Sequence, residues 1–197
     1  MLRLTLIRHA ATELNLRGVY QGVRVDRELA PGGAEQARRL GSRLVARGIH
    51  PDAIWCSDLR RARRTAELAF PGVRPRLDAR LREMDLGGFE GLDFDGNTAR
   101  HGDLFGRWLA DPATVRPPRG GELLGELRER MGGWLAALPR RGRVAAVSHG
   151  GPIAAALGIL TGMPFPDALR LNVRPTEAVQ LWIDGSGSTA MAFLSPE

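Results

Sequence analysis

Apolar residues cluster along the chain in two distinct rhythms. Short, mostly apolar runs at Leu2–Ile7, Ala53–Cys56 and Val144–Val147 predict buried β-strands. Val73–Leu77 is a weaker third strand, and Val179–Ile183 and Ala190–Leu194 predict closing strands joined by a Gly/Ser turn. Between them the spacing changes to three and four. Ala34, Ala37, Leu40, Leu44 and Val45 predict a helix that stops at Gly48. A second helix is predicted from an N-cap at Ser57, with Asp58 in its first turn, to about Phe70. Leu124, Leu127, Met131, Trp134, Leu135 and Leu138 form a third stripe, and Gly150–Leu160 reads as a buried helix with Pro152 in its first turn. Glycines and Pro31 break up residues 14–33, which read as loop.

Alternation of strand and helix predicts an α/β fold, a three-layer α/β/α sandwich around a mostly parallel sheet. The 197 residues fit one domain, 1–197, with no internal repeats. Residues 84–119 lose both rhythms, apart from a helical patch at Leu104–Leu109, and are expected to be a cap-like insertion.

Charge and composition change this picture little. The net charge is +6, and all 28 basic residues are arginine. Those arginines alternate with acids, as in Arg128-Glu129-Arg130, and no nucleic-acid reader motif accompanies them, so no nucleic-acid partner is expected. No apolar run approaches bilayer length, and Arg3 and Arg8 interrupt the N-terminal apolar stretch, so neither membrane span nor signal peptide is expected. The lone Cys56 removes a disulfide framework and a cysteine-built zinc site, and the setting expected is cytoplasmic. The histidine spacing suits no zinc site, and neither metal nor cofactor is expected. A homodimer through a sheet edge or the insertion stays open.

Ligands of open α/β sheets sit beyond the carboxyl ends of the strands. Arg8 and His9 follow the first predicted strand, and Ser57, Asp58, Arg60 and Arg61 the second. Glu83 lies shortly after the third, and Ser148, His149, Gly150 and Gly151 follow Val144–Val147. Arginine forks suit a phosphomonoester, and a neutral imidazole can attack its phosphorus. Neighbouring cations keep such an imidazole neutral, and a carboxylic acid can protonate the leaving oxygen. The residues alone leave open which of Arg60 and Arg61 takes part.

The segment Arg8-His9-Ala10-Ala11-Thr12-Glu13-Leu14-Asn15 resembles the R-H-G-E-T-x-x-N signature of the histidine phosphatase superfamily, in its phosphoglycerate mutase-like branch. Tyr20-Gln21-Gly22, Leu29–Ala37, Ser57–Ala66, Leu81–Gly91, Gly120-Gly121-Glu122 and Val147–Gly151 match further family landmarks in order. The resemblance covers nearly the whole chain and implies metal-independent phosphomonoester hydrolysis through a phosphohistidine. It implies that His9 is the nucleophile and that Arg8, Arg61 and His149 clamp the phosphoryl oxygens. Glu83 is then the proton donor, while Asn15, Gln21, Gly22 and the Gly150 backbone complete the substrate pocket. Ser57 and Thr65 fall to supporting roles.

Ala10 stands where the signature has glycine. If that backbone needs a positive φ, the pocket changes shape. Few carboxylate-binding residues besides Arg100, Arg107 and Arg116 lie between the acid loop and the second histidine, which favours hydrolysis over mutase-type transfer. The chain looks closest to the small bacterial α-ribazole phosphate phosphatases of cobalamin assembly. Phe94, Phe105 and Trp108 are candidates to pack on such a substrate. The other classes kept in view are a catalytically idle binding module and an arginine-rich nucleic-acid binder.

Overall fold

In the computed structural model, which describes residues 1–187 and 189–194, six strands form one sheet in the order β3-β2-β4-β1-β5-β6. The strands are β1 (Leu2–Arg8), β2 (Ala53–Cys56), β3 (Arg76–Leu77), β4 (Gly142–Ser148), β5 (Ala178–Ile183) and β6 (Thr189–Leu194). β1, β2, β3 and β4 pair in parallel, β5 runs antiparallel to β1, and β6 runs antiparallel to β5. The mostly parallel sheet is thus as expected. The third strand is only two residues long, shorter than the predicted Val73–Leu77. The turn between β5 and β6 is described as far as Gly187, with Ser188 outside the described residues.

The helices are α1 (Glu13–Leu16), α2 (Pro31–Ala46), α3 (Arg60–Ala69), α4 (Phe94–His101), α5 (Asp103–Ala110), α6 (Leu124–Ala136), α7 (Gly150–Thr161) and α8 (Phe165–Arg170). Helix α2 begins at Pro31, earlier than its apolar stripe, because a proline at N1 forfeits only an N–H that has no helical partner. Helix α3 is not capped by Ser57: its N-cap is Leu59, and the Arg60 N–H is taken by Asp26 Oδ2 at 2.6 Å from a distant loop.

The pleat sorts side chains into two cores, as a period of two requires. On β4, Val144 and Ala146 join the core built with α6 and α7, while Ala145 and Val147 join Leu40, Leu44, Ala62 and Ala66 of α2 and α3. On β1, Leu2, Leu4 and Leu6 face the first core and Ile7 the second. The chain therefore leaves the neighbouring ends of β1 and β4 toward opposite faces of the sheet, which opens a crevice there.

The irregular stretch carries two helices rather than the single patch expected. Asp93 caps α4 by accepting the Gly96 N–H at 2.8 Å, and Gly102, at φ 49°, separates α4 from α5. Phe105 and Trp108 turn inward from α5 against Phe89, with Phe105 only 1% exposed, so Phe105 is core and not pocket wall.

Candidate active site

Arg8 ends β1 in register with Ser148 on β4, His9 follows it, and the His9 N–H donates to the Ser148 carbonyl at 2.9 Å. His149 is the N-cap of α7. The two imidazoles thereby meet, with ring centroids 5.0 Å apart, and both are almost completely buried. Two parallel strands ending side by side bring together residues 140 positions apart in sequence.

The His9 tautomer follows from its partner. Nδ1 lies 2.8 Å from the Ala10 carbonyl oxygen, which can only accept, so Nδ1 carries the proton and Nε2 keeps its lone pair. Burial holds the His9 pKa well below the ordinary histidine value, helped by the charges of Arg61 and Arg8 and opposed by the Ala10 hydrogen bond. His149 is held low by burial too, then by Arg61. Its Nε2 lies 2.9 Å from Ser57 Oγ, which accepts the Leu59 N–H at 3.3 Å. Ser57 therefore orients the second histidine.

Ala10 raises no backbone difficulty. It is not among the described non-glycine residues with positive φ, which are Arg119, Asn172 and Thr176. It is fully buried, and its N–H donates to Thr65 Oγ1 at 2.9 Å, while the same hydroxyl donates to the Arg61 carbonyl at 2.7 Å. Thr65 thus ties α3 to the histidine loop.

Arg61, rather than Arg60, is the arginine turned inward, and its side chain is wholly buried. It donates to Asp26 Oδ1 at 3.0 Å and to the Gly22 carbonyl at 2.7 Å. Burial lowers its pKa, with Glu83 and Asp26 opposing, and an arginine so placed keeps its charge. Arg8 donates to the Val173 carbonyl at 2.9 Å. Three buried polar atoms of this group have no partner: Arg8 Nε, Arg61 Nε and His149 Nδ1. Buried guanidinium donors are rarely left unpaired, and two of them beside the His9 imidazole, joined by neutral His149 Nδ1 when the Ser57 hydroxyl donates to Nε2, form a set suited to an anion. The N-terminus of α7 adds its dipole in the same sense.

Glu83 reaches this floor from the loop after the one-turn helix Ala79–Leu81. Its Oε1 accepts the Met84 N–H at 2.9 Å and the Gly151 N–H at 3.1 Å. A Cβ on Gly151 would lie 2.5 Å from Oε1, so only glycine admits the carboxyl there. Burial raises the Glu83 pKa, against the Met84 hydrogen bond, Arg61 and Arg8.

A cavity of about 430 Å³ opens here, and its lining includes Arg8, His9, Asn15, Gln21, Glu83 and Gly150, while Arg61 and His149 lie fully buried behind that lining. Asn15 Oδ1 accepts from Thr12, and Gln21 Nε2 donates to Thr12 Oγ1 at 2.7 Å. Gly22 is not on the lining. It lies behind Arg61, pressed so tightly on Glu90 and the Met84 carbonyl that a Cβ would not fit. Arg100, Arg107 and Arg116 are also absent from the lining. Arg107 pairs with Asp103, Arg116 pairs with Glu126, and Arg100 is exposed.

Three supports act through contacts that no local pattern predicts. Asp26 holds Arg61 and starts α3. The Glu90 carboxylate accepts the N–H groups of Val23, Arg24, Val25 and Leu86, pinning the loop behind Arg61. Arg130 donates to the carbonyls of Arg80, Arg82 and Glu83 and forks onto Glu122, so one guanidinium clamps the acid loop from beneath. Glu90 and Glu122 lie inside matched landmarks, which marked the segments but not their work. Among the described residues no cluster of three His, Cys, Asp or Glu could hold a metal ion.

Paired histidines at neighbouring strand ends, two inward-turned arginines and a carboxyl of raised pKa thus form one cluster at the carboxyl edge of an α/β sheet. The model of the histidine phosphatase superfamily (branch 1) matches residues 4–194, and the chain belongs to that family. A Hydrogenobacter thermophilus protein provisionally named phosphoserine phosphatase 2 is 32% identical over 193 residues, 96% of this chain and 93% of that protein. A 2,3-bisphosphoglycerate-dependent phosphoglycerate mutase of Methylobacterium is 36% identical over 171 residues, 81% of each. The crystal structure of the α-ribazole phosphatase from Shigella flexneri superposes with a TM-score of 0.86 at 26% identity, covering 98% of this chain and 95% of that one.

Proposed function

We propose that the protein is a phosphomonoester hydrolase that works through a phosphohistidine at His9, without a metal. The observation that carries this is the forced His9 tautomer, with its Nε2 lone pair, beside the unpartnered buried Nε–H groups of Arg8 and Arg61 and the unpartnered Nδ1 of His149. Nε2 attacks phosphorus as the bond to the alcohol oxygen breaks. Arg8, Arg61 and His149 Nδ1 hold the phosphoryl oxygens, with Ser57 Oγ–H donating to His149 Nε2. The protonated Glu83 carboxyl gives its proton to the leaving oxygen. Water then attacks the phosphohistidine, Glu83 takes back a proton, phosphate leaves, and neutral His9 returns. Release of phosphate from a panel of esters, with and without a chelator, tests this reading, which requires equal rates in both conditions.

The finer reading is an α-ribazole phosphate phosphatase or a broad small-molecule phosphatase. Likeness to the Shigella flexneri enzyme supports it. A mutase grips a small acid by its carboxylate, and the absence of Arg100, Arg107 and Arg116 from the cavity lining supports hydrolysis instead.

The pKa shifts set the pH behaviour. A raised Glu83 stays protonated to higher pH, and a lowered His9 stays neutral to lower pH. Both shifts widen the window in which the reactive pair coexists. The rate for an unactivated alkyl phosphate is therefore expected to fall as pH rises through the Glu83 pKa and as it drops through that of His9. Glu83→Gln is expected to lose roughly 10²- to 10⁴-fold on that ester, and far less on p-nitrophenyl phosphate. Comparing variant and wild-type pH profiles cancels the substrate's own ionisation. Equal losses on both esters would count against the acid role.

Arg130→Met leaves the carbonyls of Arg80, Arg82 and Glu83 without their donor and Glu122 without its cation. Because it shifts the acid and not the nucleophile, it is expected to slow alkyl phosphates by on the order of tenfold to a hundredfold. p-Nitrophenyl phosphate should be nearly spared. A merely structural residue would depress both alike, as steady-state kcat values will tell.

A further inference from the structure

The cavity has two unlike halves. Its charged side chains, Arg8 and Glu83, belong to the floor with His9. Apart from Asn15 and Gln21, the rest of the lining is largely apolar, with Tyr20, Phe94, Trp108, Leu109, Phe165 and Leu169 meeting from the loop after α1 and from α4, α5 and α8. Three of these are strongly exposed, Phe94 by 55%, Leu109 by 45% and Leu169 by 49%. They stand together at one mouth, although they come from three helices. Large apolar side chains gathered at the rim of a charged pocket mark a ligand surface. Tyr20 braces the wall edge-on against Phe105 and Trp108, at centroid distances of 5.6 and 6.4 Å. Arg107 and Arg170, each next in sequence to a lining residue, are held by Asp103 and Asp167, and Arg17, beside Gly18, is exposed.

We infer that the alcohol half of the substrate is a bulky apolar or aromatic group without a carboxylate. This rests on the hydrolase reading, since the floor must hold the phosphoryl group for the wall to meet the alcohol. A cavity of about 430 Å³ falls among pockets that take drug-sized ligands, roughly 300–1,000 Å³. An apolar group there leaves water for Phe94, Trp108 and Leu169. A carboxylate would lose hydration with no cation on the wall to replace it. The substrate class so defined excludes phosphorylated small acids, even though relatives are named for them.

Three esters with unactivated primary alcohols separate side-chain recognition from leaving-group acidity: phenylpropyl phosphate, propyl phosphate and phosphooxypropanoate. The order of kcat/KM expected is phenylpropyl, then propyl, then phosphooxypropanoate. The first should exceed the last by roughly 10- to 100-fold. Phe94→Ser and Leu169→Ser change side chains on the exposed rim and should shrink the phenylpropyl-to-propyl ratio. Leu169→Arg should raise turnover of phosphooxypropanoate. Phosphooxypropanoate turned over as fast as phenylpropyl phosphate, or rim variants that leave the ratio intact, would overturn this inference while the hydrolase reading stands. If no ester is turned over, or His9→Gln turns them over as the wild type does, the hydrolase reading itself fails.

Discussion

His9→Gln is expected to lower kcat for every phosphomonoester by on the order of 10⁴-fold or more, while phosphate still binds within about tenfold of wild type. The side chain is similar in size, and its amide can still meet the Ala10 carbonyl, so the buried floor keeps its packing. What vanishes is the lone pair on Nε2. Arg8, Arg61 and His149 would still hold the anion, which is why binding and turnover should part company. Isothermal titration with phosphate, beside steady-state kinetics, separates the two. A variant that loses both equally would mean that His9 holds the floor together rather than reacting.

Arg61 carries the second large effect, and it acts on rate and stability at once. Arg61→Ala removes a donor to the phosphoryl oxygens, expected to cost about 3 kcal/mol of barrier, or roughly 10²- to 10³-fold in kcat. It also leaves Asp26, half-buried and paired with Arg61 at 3.0 Å, with only the Arg60 N–H, and leaves the Gly22 carbonyl without its donor. Breaking such a pair from one side destabilises by about 3–5 kcal/mol. Arg61→Lys retains charge beside Asp26 but not the fork, so most of the stability should return and most of the rate should not. Chemical denaturation and kcat on the same preparations measure both. A loss in kcat under tenfold for the alanine variant would remove Arg61 from the phosphoryl clamp.

Much of this site was legible in the residue order because its reactive groups hang on the strongest local patterns. Leu2–Ile7 and Val144–Val147 are apolar runs long enough to be read as strands, and His9 and His149 follow directly. Parallel neighbours then place both histidines at one rim without further information. The supporting residues obey no such rule. Asp26 meets Arg61 across 35 positions, Glu90 meets Val25 across 65, and Arg130 meets Glu83 across 47. Such carboxylates and guanidiniums look like solvated surface charges until the chain closes. Ser57 was legible only as a helix cap, yet the hydroxyl turns to His149, and the capping falls to Asp26.

The helices that escaped the pattern are the short ones. Helix α4 buries a single side chain, Asn97, which donates to the Phe89 carbonyl at 3.0 Å, so no apolar stripe announces it. Helix α8 has six residues and buries Phe165 and Ala168, too few for a period of 3.6 to emerge. These same short elements bring Phe94 and Leu169 to the rim. The residues at the strand ends were therefore easier to read from the chain than the shape of the cavity above them.

The central claim is that the phosphoryl group rests on one imidazole between the alcohol and water. Rapid acid-free quenching during turnover, followed by peptide mass analysis at alkaline pH, tests it directly. One added phosphoryl mass is expected on the peptide bearing His9, lost on acid treatment and chased away by water once substrate is exhausted. A phosphoryl group found on another side chain, or inversion at a chiral phosphate with no trapped adduct, would contradict it.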